Sequence, residues 1–305
     1  MLRYRQADDI LPQTGKERWT EMKSDFVVLW EAHRGGGGRE LPESTPAGFE
    51  YAWRLGGVPE ADVNVTSDGV MMSLHDGTLD RTARVLKEEW RGKPLSGLLS
   101  SEVRSVDIGN DMWLGQHVPA IDELLARLRT DPAKEIIIDY KAAPLGRLAA
   151  LIRAYGVERQ VTFATTDETV AAEFRRLAPK VRIKIWIGGP REAILRRFYG
   201  MAERNFGGFE QIQLHLAPKS GQEWPYALAP EEIRCALALT EKAGVLLQLF
   251  VMEFSRRELF ALLDLGIRSF AVDYPHRFTM LMAEYEALNG WSEFCSKSDE
   301  VEENH

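Results

Sequence analysis

The sequence predicts an α/β fold: a (β/α)8 TIM barrel carrying a small inserted cap segment after the hairpin of its second strand. Three observations point there. Eight short apolar segments alternate with amphipathic helical ones, the pattern of parallel strands joined by crossover helices. A length of 305 residues fills one such barrel without a second domain. Ionisable residues gather at the C-terminal ends of the predicted strands, where barrels of this kind build their sites. A doubly wound open sheet shares the alternation and stands as the alternative, since alternation alone does not establish closure.

Residues 1–24 are polar and aperiodic and are expected to form an arm, with the barrel domain over 25–290. An apolar run from Val27 to Trp30 is the first strand and delivers Ala32-His33-Arg34 into four glycines, 35–38, read as a loose rim. Thr45 with Pro46 is an N-cap with proline at the first helical position, and Phe49, Ala52 and Trp53 form the apolar stripe of that helix. Glu60 to Thr66 alternates as a strand, so Glu60 and Asp62 point to one side. Ser67-Asp68-Gly69 signals a turn, and the return arm through Leu74 brings His75 opposite position 62 to within one residue of register. Residues 83–118, rich in Gly, Ser and charge, do not read as a βα unit and form the insertion.

Regularity then resumes. Helices are expected over Asp122–Arg129, over Leu145–Tyr155 stopped by Gly156, and from the cap Asp167 through Leu177. Further helices are opened by Pro190 and Pro230 and by the capping box Ser255/Glu258. The strands between them are Ile136–Ile138, Val161–Thr165, Arg182–Ile187, Phe209–Leu216, Val245–Val251 and Ser269–Asp273. Residues 291–305 read as a polar, solvated tail.

The motifs along this frame resemble those of the glycerophosphodiester phosphodiesterases. They are His33-Arg34-Gly35, Pro42-Glu43-Ser44-Thr45, Glu60-Ala61-Asp62, Thr66-Ser67-Asp68-Gly69, His75-Asp76 and Asp80-Arg81-Thr82, in the family's order and spacing. The likeness continues more weakly through Val118-Pro119, residues 136–141 and Val272-Asp273-Tyr274-Pro275, covering roughly residues 25–280. It implies a metal-dependent phosphodiesterase that hydrolyses glycerophosphodiesters to an alcohol and glycerol phosphate, through a cyclic phosphate. Two departures bear on substrate: Asp139 replaces the family's usual Glu, and Ser44 its usual Asn. Asp-x-Lys also occurs in sphingomyelinase D-like phospholipases acting on lysophospholipids, which makes those the rival reading; a non-catalytic binding protein on the same barrel is the other.

A hard cation needs several oxygen ligands converging from different strands, and Glu60, Asp62 and Asp139 lie on predicted strands. Carboxylates so placed more often cap a turn or pair with a cation; the match of Glu60 and Asp62 to the family's Glu-x-Asp favours one divalent cation, Mg2+ or Ca2+. Displacement at a phosphodiester needs one group to accept a proton and another to give one, and His33 and His75 match the family's catalytic pair. His117, His215 and His276 are read as structural. Arg34 and Lys141 are candidates to bind phosphoryl oxygens, Glu43 to order the site, and Phe250, where the family has Trp, to line a pocket for the alcohol.

Net charge is −8 with no basic block, which disfavours nucleic acid and anionic membrane surfaces as partners, so the small phosphodiester that the resemblance implies needs a local positive site. Two distant cysteines, Cys235 and Cys295, give no disulfide framework. No run approaches a membrane span, and the N-terminal residues lack an apolar signal core, so a cytoplasmic location is expected.

Overall fold

The computed structural model describes residues 27–219 and 224–302, with side chains described through residue 289. The arm expected over 1–24 lies outside the described residues. Strand β1 (Leu29–Ala32) leads to helix α1 (Pro46–Arg54), then to β2 (Val58–Val65) and its return strand β3 (Met71–Ser73). After the inserted segment, which contains α2 (Ser100–Arg104), come α3 (Ile121–Thr130), β4 (Ile136–Tyr140), α4 (Leu145–Tyr155), β5 (Val161–Thr165) and α5 (Glu168–Leu177). The chain continues through β6 (Arg182–Ile187), α6 (Arg191–Glu203), β7 (Gln211–Leu216), α7 (Pro230–Ala243), β8 (Leu246–Val251), α8 (Arg256–Asp264), β9 (Ser269–Val272) and α9 (Pro275–Glu302). The backbone of residues 291–302, expected as a polar tail, is thus part of α9, and 303–305 lie outside the described residues.

β1 pairs in parallel with β9 on one side and with β2 on the other, and β4 to β9 follow in order from β2. The sheet therefore closes: eight parallel strands form the barrel, with β3 antiparallel outside it. The open-sheet alternative is excluded by the β1–β9 and β1–β2 ladders. β2 shares one edge between two partners, its first residues with β1 and Val63 to Val65 with β3. That leaves Asp62 opposite Leu74, whose N–H donates to the Asp62 carbonyl at 2.9 Å, one residue from His75 as the hairpin reading expected.

Local chemistry sets the element ends. Thr45 Oγ1 accepts from Gly48 N, Asp167 accepts from Thr169 N and Val170 N, and Ser255 exchanges hydrogen bonds with Glu258. Gly156 and Gly244 end α4 and α7 in the left-handed conformation.

Alternation along the strands sorts the core. Ile183, Ile185 and Ile187 of β6 and Ile212, Leu214 and Leu216 of β7 join the apolar layer between barrel and helices. Their neighbours Lys184, Trp186, Gln213 and His215 face the barrel interior together with Glu31, Gln248 and Phe250. The interior is consequently polar where barrels of this kind usually stack branched apolar side chains. Its deepest charges pair: Lys184 Nζ donates to Glu31 Oε2 at 2.7 Å, both fully buried.

The insertion has a core of its own, in which Trp90, Leu95, Leu98 and Val103 pack on Met72 and Leu74 from β3 and the residue after it. Asp68 in the hairpin turn ties it down, accepting from Ser100 N at 3.0 Å and Ser100 Oγ at 2.7 Å.

Candidate active site

Glu60 and Asp62 from β2 and Asp139 from β4 meet at the C-terminal end of the barrel because Asp62 and Asp139 are register partners on adjacent strands. One oxygen from each of the three lies within 4.8 Å of the others, and all three side chains are buried. Asp139 accepts from Trp186 Nε1 at 2.9 Å and from Lys141 Nζ at 2.6 Å. Glu60 accepts from the backbone N–H of Arg34 at 3.0 Å, which the left-handed φ of 55° at Arg34 turns toward it. Asp62 differs. Lys141 Nζ lies 3.2 Å from its Oδ1, yet neither oxygen has a hydrogen-bond partner.

Burial opposes charge on all three acids, with unequal results. Glu60 is nonetheless held down to about 2 by His33, Lys184 and the Arg34 N–H. Asp62 is pushed up to about 8 by burial and then by the charge of Glu60; burial and Glu60 raise Asp139 too. Lys141 is raised, since Asp139 and Asp62 outweigh its own burial. Three buried carboxylates beside one lysine, with both Asp62 oxygens lacking a hydrogen bond, are a donor set that a hard divalent cation would fit.

The histidines sit beside this trio, ring centroids 6.5 Å apart and nearly perpendicular. His33 Nδ1 donates to Asp273 Oδ1 at 2.7 Å, leaving Nε2 free 3.8 Å from Glu60 Oε2. His75 Nδ1 donates to Asp76 Oδ1 at 2.7 Å. Each imidazole is therefore held by a carboxylate in the tautomer that frees Nε2. Burial lowers His75, whereas at His33 burial is outweighed by Glu60 and Asp273 and the ring is raised.

Asp76 is in turn fixed by Arg81 Nε at 2.6 Å, and the rest of that guanidinium grips Glu43 through two bonds of 2.6 Å. Glu43 also takes Arg34 Nη1 at 3.1 Å, so both its oxygens are engaged and it stands apart from the acidic trio. The Arg34 guanidinium is held at Glu43 through Nη1 and its positive charge acts on both His33 and His75, while Lys141 lines the pocket. Phe250 lies 4.6 Å from the His33 ring and lines a pocket of about 80 Å³.

Sequence reading missed Asp273, Trp186 and His215. Asp273 carried a signal, since it closes the last strand within Val272-Asp273-Tyr274-Pro275; the other two were isolated residues in apolar runs. His215, read as structural, lines the pocket, its ring stacked on Trp186 at 4.9 Å. The glycine run is not a loose rim: a Cβ on Gly37, at φ +80°, would meet the Asp273 carbonyl at 2.4 Å. Trp90 is buried in the core of the insertion, away from the pocket.

Fold and site together define a closed (β/α)8 barrel with an acidic, two-histidine centre at the strand ends. The family model for the glycerophosphoryl diester phosphodiesterases matches residues 33–196, more than half of the chain. The chain belongs to that family. It is 27% identical over 164 residues to a glycerophosphodiester phosphodiesterase of Caldanaerobacter subterraneus, covering 50% of this chain and 63% of the relative. It is 33% identical over 117 residues to the probable glycerophosphodiester phosphodiesterase 2 of Mycobacterium tuberculosis, covering 37% and 38%. The matched region thus spans less than two thirds of either curated relative. Among solved structures, the glycerophosphodiester phosphodiesterase of Agrobacterium tumefaciens superposes with a TM-score of 0.64 at 23% identity, over 83% of this chain and 100% of that one. A phosphodiesterase of Oleispira antarctica, in complex with the product sn-glycerol-3-phosphate, gives 0.61 at 18% identity over 85% and 98%. Among the described residues no helix is long and apolar enough to cross a membrane.

Proposed function

We propose that this chain is a divalent-cation-dependent hydrolase of glycerophosphodiesters, releasing an alcohol and glycerol phosphate. The observation that carries it is the pairing of the acidic trio, in which neither Asp62 oxygen accepts a hydrogen bond, and two histidines whose Nδ1 atoms are both committed to carboxylates. Family membership supports the same reading, as does the glycerol-3-phosphate complex of the Oleispira antarctica protein.

Glu60, Asp62 and Asp139 would hold one cation, Mg2+ or Ca2+, which when bound supplies positive charge to the phosphoryl oxygens. Lys141 adds a second positive charge at the same wall of the pocket. The two imidazoles divide the proton transfers at Nε2. One takes the proton of the hydroxyl beside the ester, whose oxygen attacks phosphorus; the other gives a proton to the departing alcohol oxygen as its bond to phosphorus breaks. A cyclic phosphate results, and water opens it with the roles reversed. Attack from within the bound molecule avoids recruiting a second reactant, worth up to about 7–11 kcal/mol in well-oriented systems. Asp273 and the Asp76–Arg81–Glu43 chain hold the two rings in place.

Asp139 in Asp-x-Lys is the one feature that favours a lysophospholipid substrate instead. A panel of glycerophosphodiesters, lysophospholipids and sphingomyelin, assayed with Mg2+, Ca2+ and Mn2+ after chelation, tests the proposal. Release of glycerol phosphate from the first group, with a cyclic phosphate visible by ³¹P NMR, is expected. Full activity in chelator, or turnover of the lipids alone, contradicts it.

A further inference from the structure

One side chain on the pocket wall has a defined hydrogen-bonding atom that the proposed chemistry does not use. His215, at the end of β7, stacks on Trp186 with an interplanar angle of 9° and meets Phe250 edge-on at 5.0 Å. Its protonation pattern is set from below. Gln248 Nε2 donates to the carbonyl of Phe270 at 3.2 Å, which fixes the orientation of that amide. Gln248 Oε1 then accepts from Gln213 Nε2 at 2.8 Å, and this in turn fixes Gln213, whose Oε1 lies 3.1 Å from His215 Nε2. An amide oxygen only accepts, so Nε2 carries the hydrogen and Nδ1 is left as a lone-pair acceptor. Both glutamines are buried, which makes the orientation costly to reverse. Burial, followed by the nearby charge of Lys184, pushes the imidazole down to about 4, so the ring is neutral at physiological pH.

The space beside Nδ1 is kept by glycine. A Cβ built on Gly188, in the turn after β6, would stand 3.0 Å from His215 Nδ1. Phe250 separates the two histidines, its ring centroid 4.6 Å from that of His33 and 5.0 Å from that of His215, so the two imidazole rings stand one aromatic ring apart on the pocket wall. That separation suits a short carbon chain whose one end is esterified to the phosphorus and whose other end carries a hydrogen-bond donor.

The structure assigns His215 as a specificity-determining residue: its Nδ1 accepts a hydrogen bond from the terminal hydroxyl of the substrate's glycerol group, in the space left by Gly188. This rests on the hydrolase reading above and adds to it the recognition of the hydroxyl that takes no part in bond breaking. An acceptor so placed also disfavours substrates in which that hydroxyl is acylated, because the ester offers no donor.

The test compares two ligands and four proteins. Binding of glycerol phosphate and of 2-hydroxypropyl phosphate, which lacks only the terminal hydroxyl, is measured by calorimetry for wild type, His215→Phe, His215→Asn and Gly188→Ala. Hydrolysis of the corresponding phosphodiesters is measured alongside. Wild type is expected to prefer the glycerol compounds by on the order of tenfold, the scale of one hydrogen bond to an otherwise unpaired acceptor. His215→Phe keeps the stacked ring and loses the acceptor, so the preference should disappear while the deoxy compounds are bound as before. His215→Asn, whose amide oxygen falls near the position of Nδ1, should restore most of it. Gly188→Ala should mimic the loss by filling the space. Equal preference in wild type and His215→Phe overturns the assignment and leaves the hydrolase reading standing. A wild type that neither binds glycerol phosphate nor hydrolyses the glycerol diester removes both.

Discussion

His33 and Asp273 stand 240 residues apart in sequence and are joined by a 2.7 Å hydrogen bond from Nδ1 to Oδ1. The bond sets which nitrogen of His33 is available and where it points. Asp273→Asn offers an amide in place of the obligate acceptor, so the tautomer is no longer dictated. We expect kcat to fall by about 10²-fold, the scale of losing one general acid or base. Cation affinity, measured by calorimetry, should be unchanged because Asp273 is not one of the trio; a parallel loss of both would mean that the barrel end had rearranged.

His33→Ala and His75→Ala should each lower kcat by at least ~10²-fold. The double variant should be little worse than either single one, since the two proton transfers belong to one displacement. Two mild and additive losses would reduce the histidines to structural parts.

Without a cation, Asp62 and Asp139 are acids that burial and the charge of Glu60 destabilise. Asp62→Asn removes one of them at nearly constant shape. In chelator at pH 8 this variant should melt above the wild type, while added Mg2+ or Ca2+ should raise the melting temperature of the wild type only. Calorimetric scans with and without cation check both halves, and a lower melting temperature for the variant in chelator would contradict the account.

Asp68 is held down to about 2 by hydrogen bonds from Thr66 and Ser100. An acid whose folded value is depressed stabilises the fold above its unfolded value, near 4, and loses that contribution as pH falls toward 2. Wild type should therefore exceed Asp68→Asn in urea midpoint at pH 7, with the gap closing between about pH 4 and pH 2. Proteolysis should cut first within residues 83–118, the segment Asp68 anchors.

Most of the frame was readable because local chemistry punctuates it. Leu145–Tyr155, Val161–Thr165 and Arg182–Ile187 have the same bounds in sequence and structure, each set off by a glycine, a cap or a proline. That the three acids and the two histidines gather at one end of the barrel was legible as well, four of the five falling within residues 33–75 and Asp139 near the end of an apolar strand. What stayed hidden depends on register around a closed barrel. Nothing local tells that Trp186 will donate to Asp139, or that Glu31 and Lys184, each in an apolar run, will find one another across the interior. Gly37 was misread because its close neighbour, the Asp273 carbonyl, arrives from the other end of the chain.

The seam where β1 meets β9 has a consequence for how the protein comes into being. During synthesis the trio and both histidines are present once residue 139 has emerged, yet β1 lacks one edge partner and His33 lacks its carboxylate until β9 has been made. Such late, long-range pairing is slow and leaves an open strand edge exposed in the meantime. The unfinished chain thus carries its reactive groups without the contact that orients them. A chain ended before residue 269 should therefore leave the barrel unclosed and His33 without its carboxylate, whereas one ended at residue 272 should keep the strand and lose only the carboxylate.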